Sequence, residues 1–367
     1  MTTLITAQAT TFNMTSDIPS TMHAWRKHMG SPDPVWEEVA VPQTPPTGFL
    51  IKMLASGVCR SDHSILIDEK PRPWFEKQFT LGHEGCGSIV RVGAQVRSDS
   101  KFKVGDVVAL DAVPGCGFDD CPECSRDVPQ LCLRCQHSGI GQDGFHAPYA
   151  AVDQRGVVLV PEGVTPAEAA VATDAVKTGY HAITRRGEVK AHETVFLFGL
   201  GGLGFNALQT IHNIGARVII SDVKEELLEE AVKLGIPRKD IVPVGKSPTE
   251  FILENGLDGK IDTVLDFVGT HQTFSDAQQI VRRGGKIVCV GTLDHENVVD
   301  MKNGIRKRLS FIFSYGGQLE DLEEVLSLIS KKVIQPQVVG KAPSEFPNTL
   351  QGLLDGQIKG RIALMYD

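Results

Sequence analysis

A glycine turn between an apolar strand and a helix is the feature that most constrains how this chain folds. Residues 195–198 are all apolar, which predicts a strand buried on both faces, and a glycine-rich turn follows directly. A helical pattern then runs to Ile214, where Gly215 suits the helix C-terminus. Further strands are expected at 218–220, 263–267, 286–290 and 309–313. An amphipathic helix is expected at 225–234. This alternation of strands and helices predicts a doubly wound, parallel α/β sheet.

The glycines of the turn have the spacing of a dinucleotide-binding motif. They occupy the first, third, fourth and sixth positions of the pattern G-x-G-x-x-G and are Gly199, Gly201, Gly202 and Gly204. Such glycines let backbone N–H groups approach a pyrophosphate, and the following helix adds the positive end of its dipole. Because the motif follows a strand and opens a helix, it predicts a Rossmann-type nucleotide site.

An acidic residue at the end of the next strand indicates which dinucleotide binds. Asp222 lies 23 residues after Gly199, where a carboxylate accepts hydrogen bonds from the adenosine ribose and repels a 2′-phosphate. Lys224 has the opposite tendency, because its ammonium group attracts a phosphate. On balance we expect NAD rather than NADP, with packing glycines and a helix cap as the structural alternative.

The charge balance argues against a polyanionic partner. The chain has 37 Lys and Arg residues against 45 Asp and Glu residues, a net charge of −8, and no basic run. We therefore expect neither nucleic acid nor an anionic membrane as a partner. Residues 1–20 lack the basic and apolar segments of an export signal, and no stretch approaches the roughly 18 apolar residues of a membrane span. These features predict a soluble, cytoplasmic protein.

The predicted pattern of strands and helices changes near residue 163 and again after about residue 330. Short β-like runs separated by Gly and Pro in the first part predict a mostly antiparallel β domain. Short strands return at 338–339 and 361–365. The predicted division is a first domain at 1–163, a nucleotide domain at 164–315 and a return segment at 316–367 that packs back onto the first domain.

Four closely spaced cysteines predict a structural metal site in a lobe at 115–135. The set comprises Cys116, Cys121, Cys124 and Cys132. Four thiolates close a tetrahedral Zn²⁺ site and leave no open position. Cys135 competes with Cys116 for the place of one ligand, and two disulfides are the alternative to a metal.

A second set of metal-ligand residues is dispersed along the first domain. Cys59 stands two residues before Ser61, and His83 is followed by Glu84 within a glycine-rich segment. A single buried cysteine or histidine is usually structural, but the glycine surroundings favour a functional site here.

The segment around His83 resembles the zinc-dependent medium-chain alcohol dehydrogenases, and the likeness covers nearly the whole chain. The family signature G-H-E-x2-G-x5-G-x2-V is met without a mismatch from Gly82 to Val96. The cysteine lobe is also similar, although four residues rather than the usual two separate its first two thiols. The resemblance implies a GroES-like catalytic domain beside the Rossmann domain.

The resemblance implies three protein ligands for a catalytic zinc ion: Cys59, His83 and Asp174, which precedes a T-G-Y segment. Glu84 is implied close behind the metal. One thiolate, one imidazole and one carboxylate bring the charge with Zn²⁺ to about zero, whereas a four-thiolate site carries about −2 and has no vacancy. The dispersed site is therefore expected to carry the chemistry, by polarising the substrate oxygen.

Other positions take roles that the resemblance implies. Ser61 passes on the alcohol proton, and His63 or the neighbouring Ser64 continues the relay. Thr178 is expected near the nicotinamide ring and Arg361 near a cofactor phosphate. Trp74 is a candidate for the substrate pocket, although aromatic residues are equally common in cores.

Together these features predict an oxidoreductase that interconverts an alcohol, with secondary alcohols included, and its aldehyde or ketone. Hydride transfer with NAD(H), two zinc ions per chain and a homodimer or homotetramer are expected. Two alternatives remain: a zinc-independent enone or quinone reductase on the same fold, and a non-catalytic nucleotide-binding protein.

Overall fold

The computed structural model describes residues 18–68, 72, 74–135 and 137–367. Helix α1 (Arg60–Ile67) interrupts a first half that otherwise consists of strands. The strands are β1 (Thr21–His28), β2 (Val35–Ala40), β3 (Gly48–Val58), β4 (Gln78–Thr80), β5 (Glu84–Val92), β6 (Val107–Asp111), β7 (His137–Ser138), β8 (Gly141–Gln142), β9 (Tyr149–Asp153) and β10 (Val157–Leu159). Short 3₁₀ turns lie at Cys124–Arg126, Pro129–Leu131 and Gln154–Gly156.

The second half alternates strands with helices. Helices α2 (Pro166–Val171) and α3 (Lys177–His181) are each extended by a π-helical turn, at Ala172–Val176 and Ala182–Arg186. The elements that follow are β11 (Thr194–Phe198), α4 (Gly204–Ile214), β12 (Arg217–Ser221), α5 (Glu225–Lys233), α6 (Pro248–Glu254), β13 (Ile261–Asp266), α7 (His271–Ile280), β14 (Val281–Cys289), α8 (Met301–Lys307), β15 (Ser310–Phe313), α9 (Leu319–Ser330), β16 (Val338–Lys341), α10 (Phe346–Leu354) and β17 (Arg361–Met365). Two 3₁₀ turns lie at Arg238–Asp240 and Pro343–Glu345.

Strand β3 is the centre of the first large sheet. It pairs antiparallel with β5, β9 and β17, and the strand order is β10-β6-β5-β3-β17-β16. The strand is 11 residues long and almost entirely buried. Its burial explains why most of its residues are apolar or small. The predicted mostly antiparallel β architecture is confirmed, and β3 ends one residue before Cys59.

The second large sheet has five parallel strands in the order β12-β11-β13-β14-β15. Its inner strand β11 has four fully or almost fully buried residues, and helices cover both faces. The predicted parallel, doubly wound sheet is therefore confirmed. Strand β14 begins at Val281, five residues earlier than expected, and an irregularity in its register with β13 accounts for the extra length.

The C-terminal segment returns to the first sheet, because β17 pairs with the end of β3 and with β16. Helix α2 also packs on the first sheet, against β3 and β5. The nucleotide sheet begins only at β11. The boundaries at 163 and 315 stay predictions, and α2 belongs by its packing to the first sheet.

Candidate functional site

The glycine turn connects β11 to α4 and lies directly above Asp222. Gly199 has a φ of +86°, a left-handed conformation that favours glycine. A Cβ at Gly204 would overlap the Gly199 carbonyl, whereas the space beside Gly201 is open. The Leu200 N–H donates to Oδ2 of Asp222 at 2.6 Å. The structure thus brings the turn and the acidic residue together at the N-terminus of α4.

Lys224 is held in two ways near the same edge of the sheet. Its backbone N–H donates to Oδ1 of Asp222 at 2.9 Å, and its ammonium group donates to the Gly356 carbonyl. The ammonium group is therefore engaged by the loop that precedes β17. This contact directs the ammonium group to that loop, and a role of Lys224 at the cofactor stays a prediction.

Four donor side chains from three remote segments meet between the two sheets. They are Cys59, His83, Glu84 and Asp174, and each offers one atom within 4.8 Å of the others. The Cys59 Sγ atom lies 3.7 Å from Oδ2 of Asp174, and Nε2 of His83 lies 3.8 Å from the same oxygen. The Ser61 hydroxyl lies 3.6 Å from the Cys59 sulfur, in the first turn of α1.

The local fold explains why these side chains converge. Cys59 lies at the junction of β3 and α1, while Glu84 is the first residue of β5, the neighbour of β3. A Cβ at Gly57, opposite Glu84, would overlap the carboxylate. Asp174 lies in the π-helical turn between α2 and α3, and such turns often occur at functional sites because they re-aim one side chain.

The charges of the cluster favour metal binding. Burial would raise the pKa of the Cys59 thiol, but the Arg361 guanidinium and His83 outweigh it and lower that pKa. Desolvation likewise opposes ionisation of Asp174, yet hydrogen bonding and charge from His83 lower the pKa of this carboxyl. A thiolate, an imidazole and a carboxylate are a donor set that suits Zn²⁺ with one position left open. The residues present therefore fit a catalytic zinc ion.

Two further residues of this region are not evident from the sequence. Asp62 and His146 are completely buried behind the donor cluster. Asp62 lies 3.2 Å from Nδ1 of His83, so the other ring nitrogen faces the donors. A carboxylate three residues after Cys59, at the third position of α1, was a usable signal for Asp62. An isolated histidine such as His146 offers no such signal.

Arg361, the first residue of β17, links the two parts of the site. It is buried, its side chain lies against Gly202 and its guanidinium donates to the Glu84 carboxylate. This contact with Glu84 was not expected. The sequence placed Arg361 at a cofactor phosphate, and that role stays a prediction.

The remaining predicted residues lie at different distances from the donors. Thr178 is buried one helical turn after Asp174 and donates its hydroxyl to Oδ1 at 2.8 Å. His63 is half-buried on α1 and is not part of the donor cluster. The Trp74 ring packs 5.3 Å from the His137 ring, centroid to centroid. The assigned roles of these three residues stay predictions.

The cysteine lobe brings four sulfur atoms together. Cys116, Cys121, Cys124 and Cys132 each offer a sulfur within 4.8 Å of the others, and Cys135 is not in this set. The shortest sulfur–sulfur distances, 3.6 and 3.8 Å, are far from the ~2.05 Å of a disulfide. No disulfide joins any two cysteines of the described part of the chain. The arrangement fits a closed structural zinc site with Cys116 as a donor.

Among the residues that the structure describes, no helix has the length and apolarity needed to cross a membrane.

Comparisons with known proteins agree with this geometry. Residues 45–162 match the family model of the alcohol dehydrogenase GroES-like domain, and residues 202–331 match that of zinc-binding dehydrogenases. An alcohol dehydrogenase of Geobacillus stearothermophilus is 31% identical over 335 residues, which cover 90% of this chain and 96% of that protein. An alcohol dehydrogenase of a Moraxella species is 29% identical over 90% of this chain and 95% of its own length.

Solved structures give the same result. Acetophenone reductase from Geotrichum candidum, in complex with NAD, superimposes with a TM-score of 0.85 at 28% identity, covering 96% of this chain and 99% of that one. The alcohol dehydrogenase of Aeropyrum pernix gives a TM-score of 0.81 at 25% identity, covering 94% and 100% of the two chains. With its GroES-like and Rossmann-type domains, this chain is an enzyme of the zinc-dependent medium-chain alcohol dehydrogenase family.

Proposed function

We propose that this enzyme interconverts an alcohol and its aldehyde or ketone with NAD(H), using zinc held by Cys59, His83 and Asp174. The observation that carries the proposal is the convergence of these donors within 4.8 Å, joined to the glycine turn by the side chain of Arg361. When bound, zinc supplies Lewis acidity to the substrate oxygen and NAD supplies the redox chemistry. The residues of the chain bind and orient the substrate and the cofactor, and they carry the proton away.

Ser61 is the proposed proton carrier. Its hydroxyl lies beside the Cys59 sulfur and on the exposed side of the first turn of α1. A hydroxyl at this point can take a proton from a substrate hydroxyl held at the donor cluster and pass it to a neighbour. His63 and Ser64 remain the two candidates for the next acceptor.

The cofactor preference follows from two side chains. The Asp222 carboxylate accepts from the N–H groups of Leu200 and Lys224 directly after β12. The Lys224 ammonium group donates to the Gly356 carbonyl, which directs it towards the loop before β17. A ribose hydroxyl suits this environment better than a phosphate, which supports NAD.

The substrate class includes secondary alcohols in this proposal, with Trp74 at the pocket wall. The similarity to a ketone reductase at 28% identity supports this class, since that protein is named for acetophenone. We further propose cytoplasmic location, because no disulfide joins the described cysteines and a reducing compartment keeps cysteines from forming disulfides.

We also propose a homodimer or homotetramer. Strand β15 is the edge of the five-stranded sheet, and its last residue, Phe313, is 70% exposed. Met301 and Ile305 on the adjacent α8 are 65% and 69% exposed. An open strand edge beside apolar side chains supports pairing with a second copy.

The test combines metal content with turnover. We expect the wild-type protein to oxidise NADH with ketones or aldehydes and to hold two zinc ions per chain. Cys59→Ala should lose one zinc and nearly all turnover. Cys86→Ala is the matched control, because Cys86 is a buried β5 cysteine outside the donor set. Carbonyl reduction by metal-free protein would favour the zinc-independent reductase, and no turnover with any carbonyl would favour a binding protein.

A further inference from the structure

A second buried histidine lies behind the donor cluster, and none of the steps above uses it. His146 is fully buried in the segment between β8 and β9. Its ring lies against Gly82, the residue before His83, so closely that a Cβ at Gly82 would overlap the imidazole. Gly82 also has a φ of +91°. The glycine therefore permits both the turn and the ring behind the G-H-E segment.

Asp62 connects this histidine to two members of the donor cluster. Its Oδ2 accepts the Cys59 N–H at 2.9 Å, and its Oδ1 lies 3.2 Å from Nδ1 of His83. Nε2 of His146 lies 3.7 Å from Oδ2. Among the described residues, the buried atoms Oδ1 of Asp62, Nδ1 of His83 and Nε2 of His146 have no hydrogen-bond partner. Because buried polar atoms are almost always paired, Asp62 is the natural partner of both rings.

The contacts on the far side of His146 allow the tautomer that donation to Asp62 requires. Its Nδ1 lies 2.8 Å from Oγ of Ser56, which in turn lies 3.3 Å from the Tyr366 hydroxyl oxygen. If Ser56 donates to Nδ1, then Nε2 carries the ring proton and points it at Asp62. Burial raises the pKa of Tyr366 well above its usual value, so its phenol keeps a proton to donate to Ser56. Every group in this chain then has one defined donor or acceptor role.

We propose that His146 is a positioning residue of the catalytic metal centre. By donating to Asp62, it keeps that carboxylate turned towards both the Cys59 backbone and the His83 ring, and Ser56 keeps His146 in the required tautomer. His146 touches neither substrate nor metal. The inference rests on the proposed zinc function, and it adds a residue that acts through Asp62.

The consequence is a change in metal affinity rather than in packing alone. Partners that orient ligand residues typically contribute about 10- to 100-fold to metal affinity or activity. His146→Ala removes the donor to Asp62 and leaves the carboxylate free to rotate. His146→Gln retains an amide that can donate, and Ser56→Ala removes only the control of the tautomer.

The experiment compares these variants with His181→Ala. His181 is the matched control, since it is also a buried histidine beside a carboxylate, with Nδ1 2.7 Å from Oδ2 of Asp321. The metal dissociation constant of the dispersed site is measured by chelator competition. The visible spectrum of the cobalt-loaded protein reports ligand geometry, and the melting temperature of the metal-free protein reports stability.

We expect His146→Ala to weaken metal binding about tenfold or more and to shift the cobalt bands. His146→Gln should restore part of the affinity, and His181→Ala should lower the melting temperature without changing metal affinity. If His146→Ala does not fold, Ser56→Ala should show a smaller loss in the same direction.

Unchanged metal affinity and cobalt bands in folded His146→Ala, or in Ser56→Ala where His146→Ala does not fold, would overturn the inference and leave the zinc function intact. An equal loss in His181→Ala would also overturn it, because the effect would then be general destabilisation. If the wild-type protein took up no metal at Cys59 and His83, both the zinc function and the role of His146 would fail.

Discussion

The guanidinium of Arg361 donates to the carboxylate of Glu84 in the buried space between the glycine turn and the donor cluster. Arg361 begins β17 and Glu84 begins β5, and both strands flank the end of β3 beside Cys59. The Arg361 side chain also lies against Gly202. A single cation thus contacts the nucleotide turn and lowers the pKa of the proposed thiolate ligand.

Replacing Arg361 should therefore change the reactivity of Cys59. Arg361→Gln leaves the acidic side chains without their buried cation, so the pKa of the Cys59 thiol should rise. In metal-free protein, alkylation of Cys59 by iodoacetamide at neutral pH should slow several-fold, as followed by peptide mass spectrometry. Breaking the buried pair should also cost about 3 kcal/mol of stability. Arg361→Lys is the control that keeps the charge, and an equal alkylation rate in Arg361→Gln would contradict the electrostatic role.

A second prediction concerns the choice between NAD and NADP. Asp222→Asn removes the charge that repels a 2′-phosphate but keeps an oxygen that can accept the Leu200 N–H. We expect the ratio of kcat/KM for NADPH over NADH to rise about tenfold, because a lost charge repulsion of ~1.4 kcal/mol has that effect. Lys224→Gln should leave the ratio nearly unchanged, since its ammonium group is already bound to the Gly356 carbonyl. A large fall in NADPH use by Lys224→Gln would show that Lys224 is available to phosphate after all.

The parts of the molecule that could be predicted from the sequence are those governed by local pattern. The glycine turn, Asp222 and the parallel sheet could be predicted because the strand, turn, helix and next strand follow one another in the chain and also pack together. The G-H-E and T-G-Y segments likewise predicted His83, Glu84 and Asp174, which the structure brings together. The unusual four-residue spacing after Cys116 left Cys135 as a competing ligand. In the structure the Cys116 sulfur lies within the cluster.

The parts that could not be predicted depend on contacts between remote segments. Arg361 and Glu84 are 277 residues apart, and nothing around Arg361 indicates that its guanidinium turns to a carboxylate rather than to a phosphate. His146 gains its position from a glycine 64 residues earlier in the chain, at Gly82. Such contacts depend on how segments far apart in the chain pair and pack, for which one sequence contains no periodic signal.

A third prediction concerns the fourth ligand of the cysteine lobe. Cys116→Ser should remove one zinc ion per chain and lower the melting temperature, because the Cys116 sulfur lies 3.8 Å from that of Cys124. Cys135→Ser should keep two zinc ions, since its sulfur is outside the cluster. Metal content measured by atomic absorption and melting curves check both outcomes. Loss of zinc from Cys135→Ser alone would assign the fourth ligand to Cys135.

The last prediction is a pH-dependent stability that comes from the buried carboxyl of Asp321. This carboxyl is completely buried at the third position of α9 and accepts from His181, Arg185 and the Gln318 N–H at 2.7 to 2.9 Å. Burial would raise the pKa of Asp321, but these hydrogen bonds lower it below its usual value. A carboxyl with a lowered pKa stabilises the fold above its unfolded pKa of about 4, and this contribution is lost as the pH falls through the folded pKa.

Asp321→Asn should therefore destabilise the protein by about 3 kcal/mol near pH 7. The difference from wild type should shrink progressively below about pH 4, because the wild-type carboxyl of the unfolded chain binds a proton there first and that of the folded chain follows below its lowered pKa. Urea unfolding of metal-loaded protein at a series of pH values measures this difference, where both proteins remain folded without denaturant. Glu323→Gln is the matched control, since Glu323 lies on the same helix in an exposed ion pair with Lys101 at 3.4 Å and should change stability by less than about 1 kcal/mol. A destabilisation by Asp321→Asn that stayed constant from pH 7 to pH 3 would show that packing, rather than the ionised carboxylate, holds α9 to α3.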